Sequence, residues 1–289
     1  MSEMGRPRRL GASGLTVSAL GVGTNRWGAR GTDQESLGSV MAAAVDAGVT
    51  FFDTAEIYMG GRSERLLGAA ARTAAHPVVL ASKFAPLPYR LTGSQFERAL
   101  DRTLGRLGLD AVDLYYLHFP FSLVGVGSWM NAMARAVQAR KIRAVGVSNC
   151  SAAQMRAAAE ALARYDIPLA ANQVQYSLTS RKPETNGVLE ACREMDVALV
   201  AYRPIGGGAI GKGGGGGDLS GLAGVLDDIA GGRGATATQV ALAWLLRRDD
   251  HVIPIPGATK PPHVTENAGA LGLALTDDEF AAIDKASSA

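Results

Sequence analysis

Eight short runs of apolar and β-branched residues, set at near-regular intervals, constrain this chain more than any other feature of it. They are 20–23, 49–53, 78–82, 112–117, 142–147, 169–174, 197–201 and 252–255. The first seven begin about 30 residues apart, room in each step for one strand and one returning helix. Most are continuously apolar rather than strictly alternating, as expected of parallel strands covered on both faces. Amphipathic stretches fill the gaps at 32–47, 63–71, 93–107 and 151–163. Ser94, three residues ahead of Glu97, has the spacing of a capping box for the third of these.

One interval breaks the rhythm. Between the seventh and eighth runs lies Gly206 to Gly217, where much of the chain's excess of glycine over the average sits. Seven βα steps, the last lengthened by this insert, describe an α/β chain folded as a (β/α)8 TIM barrel. A doubly wound sheet with a second domain fits less well, because no linker interrupts the pattern. The expectation is a single domain over residues 1–289, with a hairpin near the N-terminus and an extra C-terminal helix over 276–286.

Composition narrows the function. The chain is 47% apolar and 19% charged, ordinary for a globular protein. Its formal net charge is +2, which gives no electrostatic reason to expect nucleic acid or an acidic membrane as partner. Only Cys150 and Cys192 are present, so neither a disulfide framework nor a metal site is expected. The basic start is followed by residues laced with Gly, Ser and Thr rather than by a signal-peptide core. No run approaches the roughly 18 apolar residues of a membrane span. These features predict a cytoplasmic protein; none of them sets an oligomeric state.

In such barrels the site lies at the carboxyl ends of the strands. That rule selects Asp53 after the second run, Lys83 after the third and His118 after the fourth, with Tyr58 on the loop past Asp53. Ser148 and Asn149, Gln173, and Tyr202 with Arg203 follow the next three. Alone, each has a structural explanation: Asp53 as a turn cap, Lys83 as a solvated strand end, Tyr58 as a rim aromatic, His118 as a core histidine. Together they suggest one chemistry. A phenol with its ordinary pKa of about 10 is a poor acid at neutral pH. A nearby ammonium favours the phenolate, and a carboxylate keeps that ammonium charged and placed. A neutral imidazole can donate a hydrogen bond to a carbonyl oxygen as charge develops there. Such a set suits protonation of a carbonyl while a second group delivers hydride.

These residues sit in stretches that resemble the aldo-keto reductase family. The stretches are Phe51-Phe-Asp-Thr-Ala-Glu-Ile-Tyr58, Gly60 to Gly68, Ala81-Ser-Lys83 and Asp113-Leu-Tyr-Tyr-Leu-His118. They continue with Ile142 to Asn149, Asn172 to Ser177, Ala201-Tyr-Arg-Pro-Ile205, Ile255 to Lys260, and Glu266-Asn267. The likeness runs from about Leu10 to Leu273 and is closest to the family's bacterial and plastid branch. It implies that Tyr58 is the general acid, Lys83 its partner, Asp53 the anchor of Lys83, and His118 the orienting donor. It further implies that Ser148, Asn149 and Gln173 hold the nicotinamide carboxamide, that Tyr202 stacks on its ring, and that Thr24 touches the cofactor. Arg203, Pro204, Lys260, Glu266 and Asn267 complete the implied cofactor site. The implied cofactor is NADP(H), with NAD(H) as the alternative. Gly257 and His263 stand where many relatives carry a Lys and an Arg.

The resemblance implies a small-molecule carbonyl as substrate. Trp27, Met59, Phe84, Phe119 and Phe121 follow strand ends and are candidates for an apolar pocket, whereas Trp129 and Trp244 sit in helical patterns and read as core. Gly206, Gly208 and Gly211 satisfy GxGxxG literally, and Gly211-Lys212 nearly completes a P-loop. Gly213 replaces its Ser/Thr, and five consecutive glycines cannot open a helix cheaply. A mobile loop over the cofactor is expected instead. The reading is an NAD(P)H-dependent reductase of aldehydes or ketones. Its alternatives are a sugar or alcohol dehydrogenase and a nucleotide-sensing regulatory subunit.

Overall fold

The structure, a computed structural model, describes residues 5–208 and 220–287. Two short strands, β1 (Arg8–Arg9) and β2 (Thr16–Val17), pair antiparallel and form the expected N-terminal hairpin. Eight further strands follow: β3 (Gly21–Gly23), β4 (Phe51–Asp53), β5 (Val79–Phe84), β6 (Val112–Leu117), β7 (Ile142–Ser148), β8 (Leu169–Gln175), β9 (Ala198–Tyr202) and β10 (Val252–Ile255). Each pairs in parallel with its neighbour in sequence. The ring meets where Gly23 bridges Gly257 and its N–H donates to Pro256 O at 3.0 Å. This is a (β/α)8 barrel.

Around it lie α1 (Gln34–Asp46), α2 (Arg62–Ala71), α3 (Gly93–Leu107), α4 (Val126–Gln138) and α5 (Ala152–Ala163). They continue as α6 (Lys182–Thr185), α7 (Val188–Glu194), α8 (Ser220–Arg233), α9 (Ala237–Arg248), α10 (Pro261–Ala268) and α11 (Asp277–Ser287). The last is the expected C-terminal helix. None of these helices is long and apolar enough to cross a membrane, among the described residues.

Helix starts follow local chemistry. Asp33 caps α1 by accepting from Ser36 N–H at 2.8 Å, and Ser151 and Thr236 sit in capping boxes at α5 and α9. At α3 the expected box of Ser94 and Glu97 is displaced. Thr92 is the cap, and Gln95 Oε1 accepts from the N–H groups of Leu91 and Thr92 at 2.7 and 3.1 Å. A glutamine serves here as well as a glutamate, so a pattern that looked for Glu landed one box too late. Most of Gly206 to Gly217, including Gly211, Lys212 and Gly213, lies outside the described residues.

Two apolar cores result from the pleat. Phe51, Ala81, Leu114, Tyr116, Ala144, Ala171, Ala198, Val200, Ile253 and Ile255 fill the barrel interior. Leu10 and Val17 of the hairpin join them, which plugs the amino-terminal end of the barrel. Their neighbours Phe52, Leu80, Tyr115, Val145 and Leu199 face the helices, where Trp129 and Trp244 are buried as expected. Gly146 is an inward position without a side chain. A Cβ there would stand 2.5 Å from the ring of Tyr116, its register partner on β6, so glycine makes room for that ring inside the barrel.

Candidate active site

Side chains alternate across a strand, so a residue two places beyond an inward apolar one also points inward. Counting on from Phe51, Ala81, Tyr116, Gly146, Ala171 and Val200 gives Asp53, Lys83, His118, Ser148, Gln173 and Tyr202. Six predicted site residues therefore cap the interior stack at the carboxyl ends of consecutive strands. The chain then turns sharply. Met59, Asn149 and Arg203 adopt φ values of 49°, 59° and 50°, each directly after a predicted site residue. Left-handed backbone is uncommon outside glycine, and here it re-aims the chain at two strand ends, after β7 and β9, and on the loop that follows β4.

Lys83 is the hub. Its side chain is fully buried, and its Nζ donates to Asp53 Oδ1, to Thr54 O at 2.7 Å and to the Tyr58 hydroxyl at 3.4 Å. All three ammonium donors thus have partners. Burial alone would lower the Lys83 pKa, but the Asp53 charge, then Tyr58, outweigh it and the net direction is upward. Burial pushes the Asp53 carboxyl above its ordinary range, against the opposing pull of Lys83 and of Gln173 Nε2, which donates to Oδ2 at 2.8 Å. Each charge is tolerable inside the barrel only because the other is there.

His118 stands edge-on to Tyr58, with ring centroids 5.8 Å apart, and Phe119 stacks on its other side at 4.1 Å. Burial, then the nearby Lys83 charge, lower its pKa to about 3. The imidazole is therefore neutral at every physiological pH, and its buried Nδ1 has no hydrogen-bond partner among the described residues. An NMR titration of the His118 ring is expected to show no protonation step between pH 5 and 8, the range in which an ordinary histidine titrates.

The remaining predicted residues divide. Asn149 donates to His118 O at 3.3 Å and to Ser148 Oγ at 3.0 Å, and it accepts from the Tyr202 hydroxyl at 3.0 Å. Ser148 donates to Gln173 O. Arg203 and Lys260 are exposed, Pro204 and Asn267 buried, and Glu266 accepts from the Thr236 hydroxyl at 2.9 Å. Thr24 is fully buried, its hydroxyl bonded to Asp53 O and to Ser63 Oγ at the end of β4. Two pocket expectations are corrected. Phe84 follows inward Lys83 and so points outward, against Phe96 and Trp129. Trp27 is buried on Phe52 and donates from Nε1 to Ala258 O at 2.8 Å. Neither aromatic lines a pocket. Met59 and Phe121 are exposed at the rim.

Sequence reasoning missed Thr54, whose contribution is a main-chain carbonyl that no side-chain pattern reports. It also missed Glu56 and Arg90, which form a nearly buried ion pair beside Tyr58. They are 34 residues apart, so no local spacing links them.

Comparisons with known proteins agree with this geometry. The chain is 32% identical to an NADP(+) aldo-keto reductase of Schizosaccharomyces pombe, over 91% of this chain and 86% of that one. It is 33% identical to the chloroplastic pyridoxal reductase of Arabidopsis thaliana, over 92% and 82%. Among solved structures, an aldo-keto reductase from Klebsiella pneumoniae in complex with NADPH superposes with a TM-score of 0.82 at 31% identity, covering 96% of this chain and 94% of that one. The sequence model of the aldo/keto reductase family matches residues 19–288. With eight parallel strands presenting one lysine-centred cluster, and with these likenesses along nearly its whole length, the chain belongs to the aldo/keto reductase family.

Proposed function

We propose that this chain, a single domain over residues 1–289, reduces an aldehyde or ketone to an alcohol at the expense of NADPH. The observation that carries the reading is the buried Lys83 ammonium, held by Asp53 and Thr54 and set 3.4 Å from the Tyr58 hydroxyl. Family membership and the NADPH-bound Klebsiella structure support it.

The residues present fit a nicotinamide dinucleotide. The partnerless buried Nδ1 of His118 leaves polar capacity at the mouth, and half-buried Asn149 and Tyr202 offer an amide and a ring beside it. Ser148, Asn149 and Gln173 would hold the carboxamide, and Tyr202 would stack on the ring. Arg203, Pro204, Lys260, Glu266 and Asn267 would take the rest, with exposed Arg203 and Lys260 supplying cations for phosphates. When bound, the cofactor supplies hydride to the carbonyl carbon.

The protein's own part is to hold and move one proton. Tyr58 passes its phenolic proton to the carbonyl oxygen as negative charge grows there. Lys83 stabilises the phenolate that remains, and Asp53 and Thr54 keep the ammonium in place. Neutral His118 donates a hydrogen bond to the same oxygen and so orients the carbonyl. Both cysteines are free and buried, which supports a reducing compartment, and we place the protein in the cytoplasm. The small net charge supports a small-molecule substrate rather than nucleic acid.

The experiment is a panel of aromatic aldehydes, sugars, ketones and pyridoxal, followed by nicotinamide absorbance with NADPH and separately with NADH. Stoichiometric NADPH loss with alcohol formation is expected for at least one carbonyl. No turnover across the panel, or tighter binding of NADH in a fluorescence titration, overturns the reading in its activity or its cofactor.

A further inference from the structure

We infer that Glu56 and Arg90 form a clasp that sets where the Tyr58 hydroxyl stands relative to Lys83, and so act as positioning residues for proton transfer. The inference rests on the reading of Tyr58 as the proton donor.

Tyr58 lies outside the regular barrel, on the loop after β4. Its own turn is closed by Tyr58 N–H donating to Ala55 O at 3.0 Å, and the next residue is left-handed Met59. The start of this loop is tied to β5, the strand that carries Lys83, by Thr54 N–H donating to Ala81 O at 2.9 Å. Glu56 extends the tie toward Tyr58. Its N–H reaches Lys83 O at 3.4 Å, and its Oε1 accepts from Ala85 N–H at 2.7 Å. Phe84 O, between those two, accepts from His118 N–H at 2.9 Å. Three consecutive residues at the end of β5 thus tie down the Tyr58 loop, the His118 strand end, and the Tyr58 loop again.

Arg90 locks the carboxylate in that pose. Its Nη1 donates to Glu56 Oε1 and to Ala85 O at 2.8 Å, and its Nη2 donates to Glu56 Oε2 at 3.1 Å. The guanidinium lies over the Phe84 ring, 5.0 Å from its centroid. A planar fork grips a carboxylate at two points and fixes its orientation, which a single ammonium does not. Both side chains are close to fully shielded from solvent, at 6% exposure for Glu56 and 10% for Arg90. Neither has a place in the proposed proton transfer itself. The link between them runs across two separate βα loops, so its geometric effect is to hold the tyrosine-bearing loop against the lysine-bearing strand.

The test is the double variant Glu56→Gln/Arg90→Met, which removes both charges and leaves no unpaired buried ion, beside Arg90→Lys and Arg90→Met. With the clasp open, kcat is expected to fall by about tenfold to a hundredfold, the scale of a misplaced reacting group. NADPH affinity and carbonyl KM should stay near the parent values. The solvent deuterium isotope effect on kcat should rise, because proton transfer becomes slower relative to the other steps. Arg90→Lys should recover part of the kcat lost in Arg90→Met. A double variant with the parent's kcat overturns the clasp, as does a kcat loss matched by equal loss of NADPH binding with no isotope change. If the double variant does not fold, Arg90→Lys is read by the same ratios. A parent protein inactive on every carbonyl sinks the reductase reading; an active parent with unmoved variants sinks the clasp alone.

Discussion

Replacing Tyr58 by Phe is expected to lower kcat by about a hundredfold to ten-thousandfold, the range contributed by a positioned proton donor. The substitution removes one oxygen and little else. The ring keeps its edge-on contact with His118, and Lys83 keeps its bonds to Asp53 and to Thr54 O, losing only its longest one. The hydroxyl is not among the groups proposed to hold the dinucleotide, so NADPH should bind as in the parent. Thermal unfolding should be almost unchanged, since Tyr58 sits half-buried at the mouth rather than in either core. Steady-state kinetics with the best carbonyl of the panel, fluorescence titration with NADPH and a melting curve decide the matter. Turnover within tenfold of the parent would show that the proton comes from elsewhere. Lost cofactor binding would show that the phenol belongs to the dinucleotide site.

Much of this site is legible in the chain because two periodicities govern it. The step of about 30 residues marks the barrel. The period of two along each strand then decides which residue of each run reaches the mouth. Asp53, Lys83, His118, Ser148, Gln173 and Tyr202 all obey it. By the same rule Phe84 faces the helices and not the mouth, because a residue adjacent to an inward lysine cannot also face inward. Trp27 departs from its expected place for another reason. It lies on a loop, where no periodicity applies, and its direction is set by a hydrogen bond to Ala258 far along the chain. The displaced cap of α3 belongs with these errors, since Gln95 and Glu97 both satisfy the local pattern and only the backbone chooses between them. The ties of Glu56 to residues 85 and 90 are invisible for the most basic reason. They are long-range contacts whose partners have no fixed spacing, and one of them is a main-chain N–H.

Replacing Lys83 by Met tests the electrostatic half of the site and is expected to damage stability and catalysis together. Methionine fills nearly the same volume but leaves Asp53 as a buried carboxylate with no countercharge. Breaking a buried pair in this way typically costs about 3–5 kcal/mol. The deficit should depend on pH in a definite direction. Burial already raises the Asp53 pKa, and loss of the opposing ammonium raises it further. A carboxyl whose folded-state pKa exceeds the unfolded value of about 3.9 favours the fold below that pH. This contribution disappears as pH rises through the folded value. The variant should therefore lie closest to the parent in acid and fall progressively behind as Asp53 is forced to ionise. The parent shows only a weaker form of this fall, because Lys83 opposes the burial that raises its Asp53 pKa, and its own raised Lys83 pKa keeps the ammonium's contribution intact until strongly alkaline pH. Adding Asp53→Asn to Lys83→Met removes the orphaned charge, since Asn still accepts from Gln173 and needs no cation. Stability should return and the pH dependence should flatten, while kcat stays as low as in Lys83→Met because the phenolate still has no ammonium beside it. Denaturant unfolding from pH 4 to pH 9, run beside turnover for all three proteins, separates the two roles. A Lys83→Met protein as stable as the parent at neutral pH would mean that Asp53 is not held ionised by Lys83. Recovery of turnover in the double variant would mean that the ammonium is a structural strut rather than a partner of Tyr58.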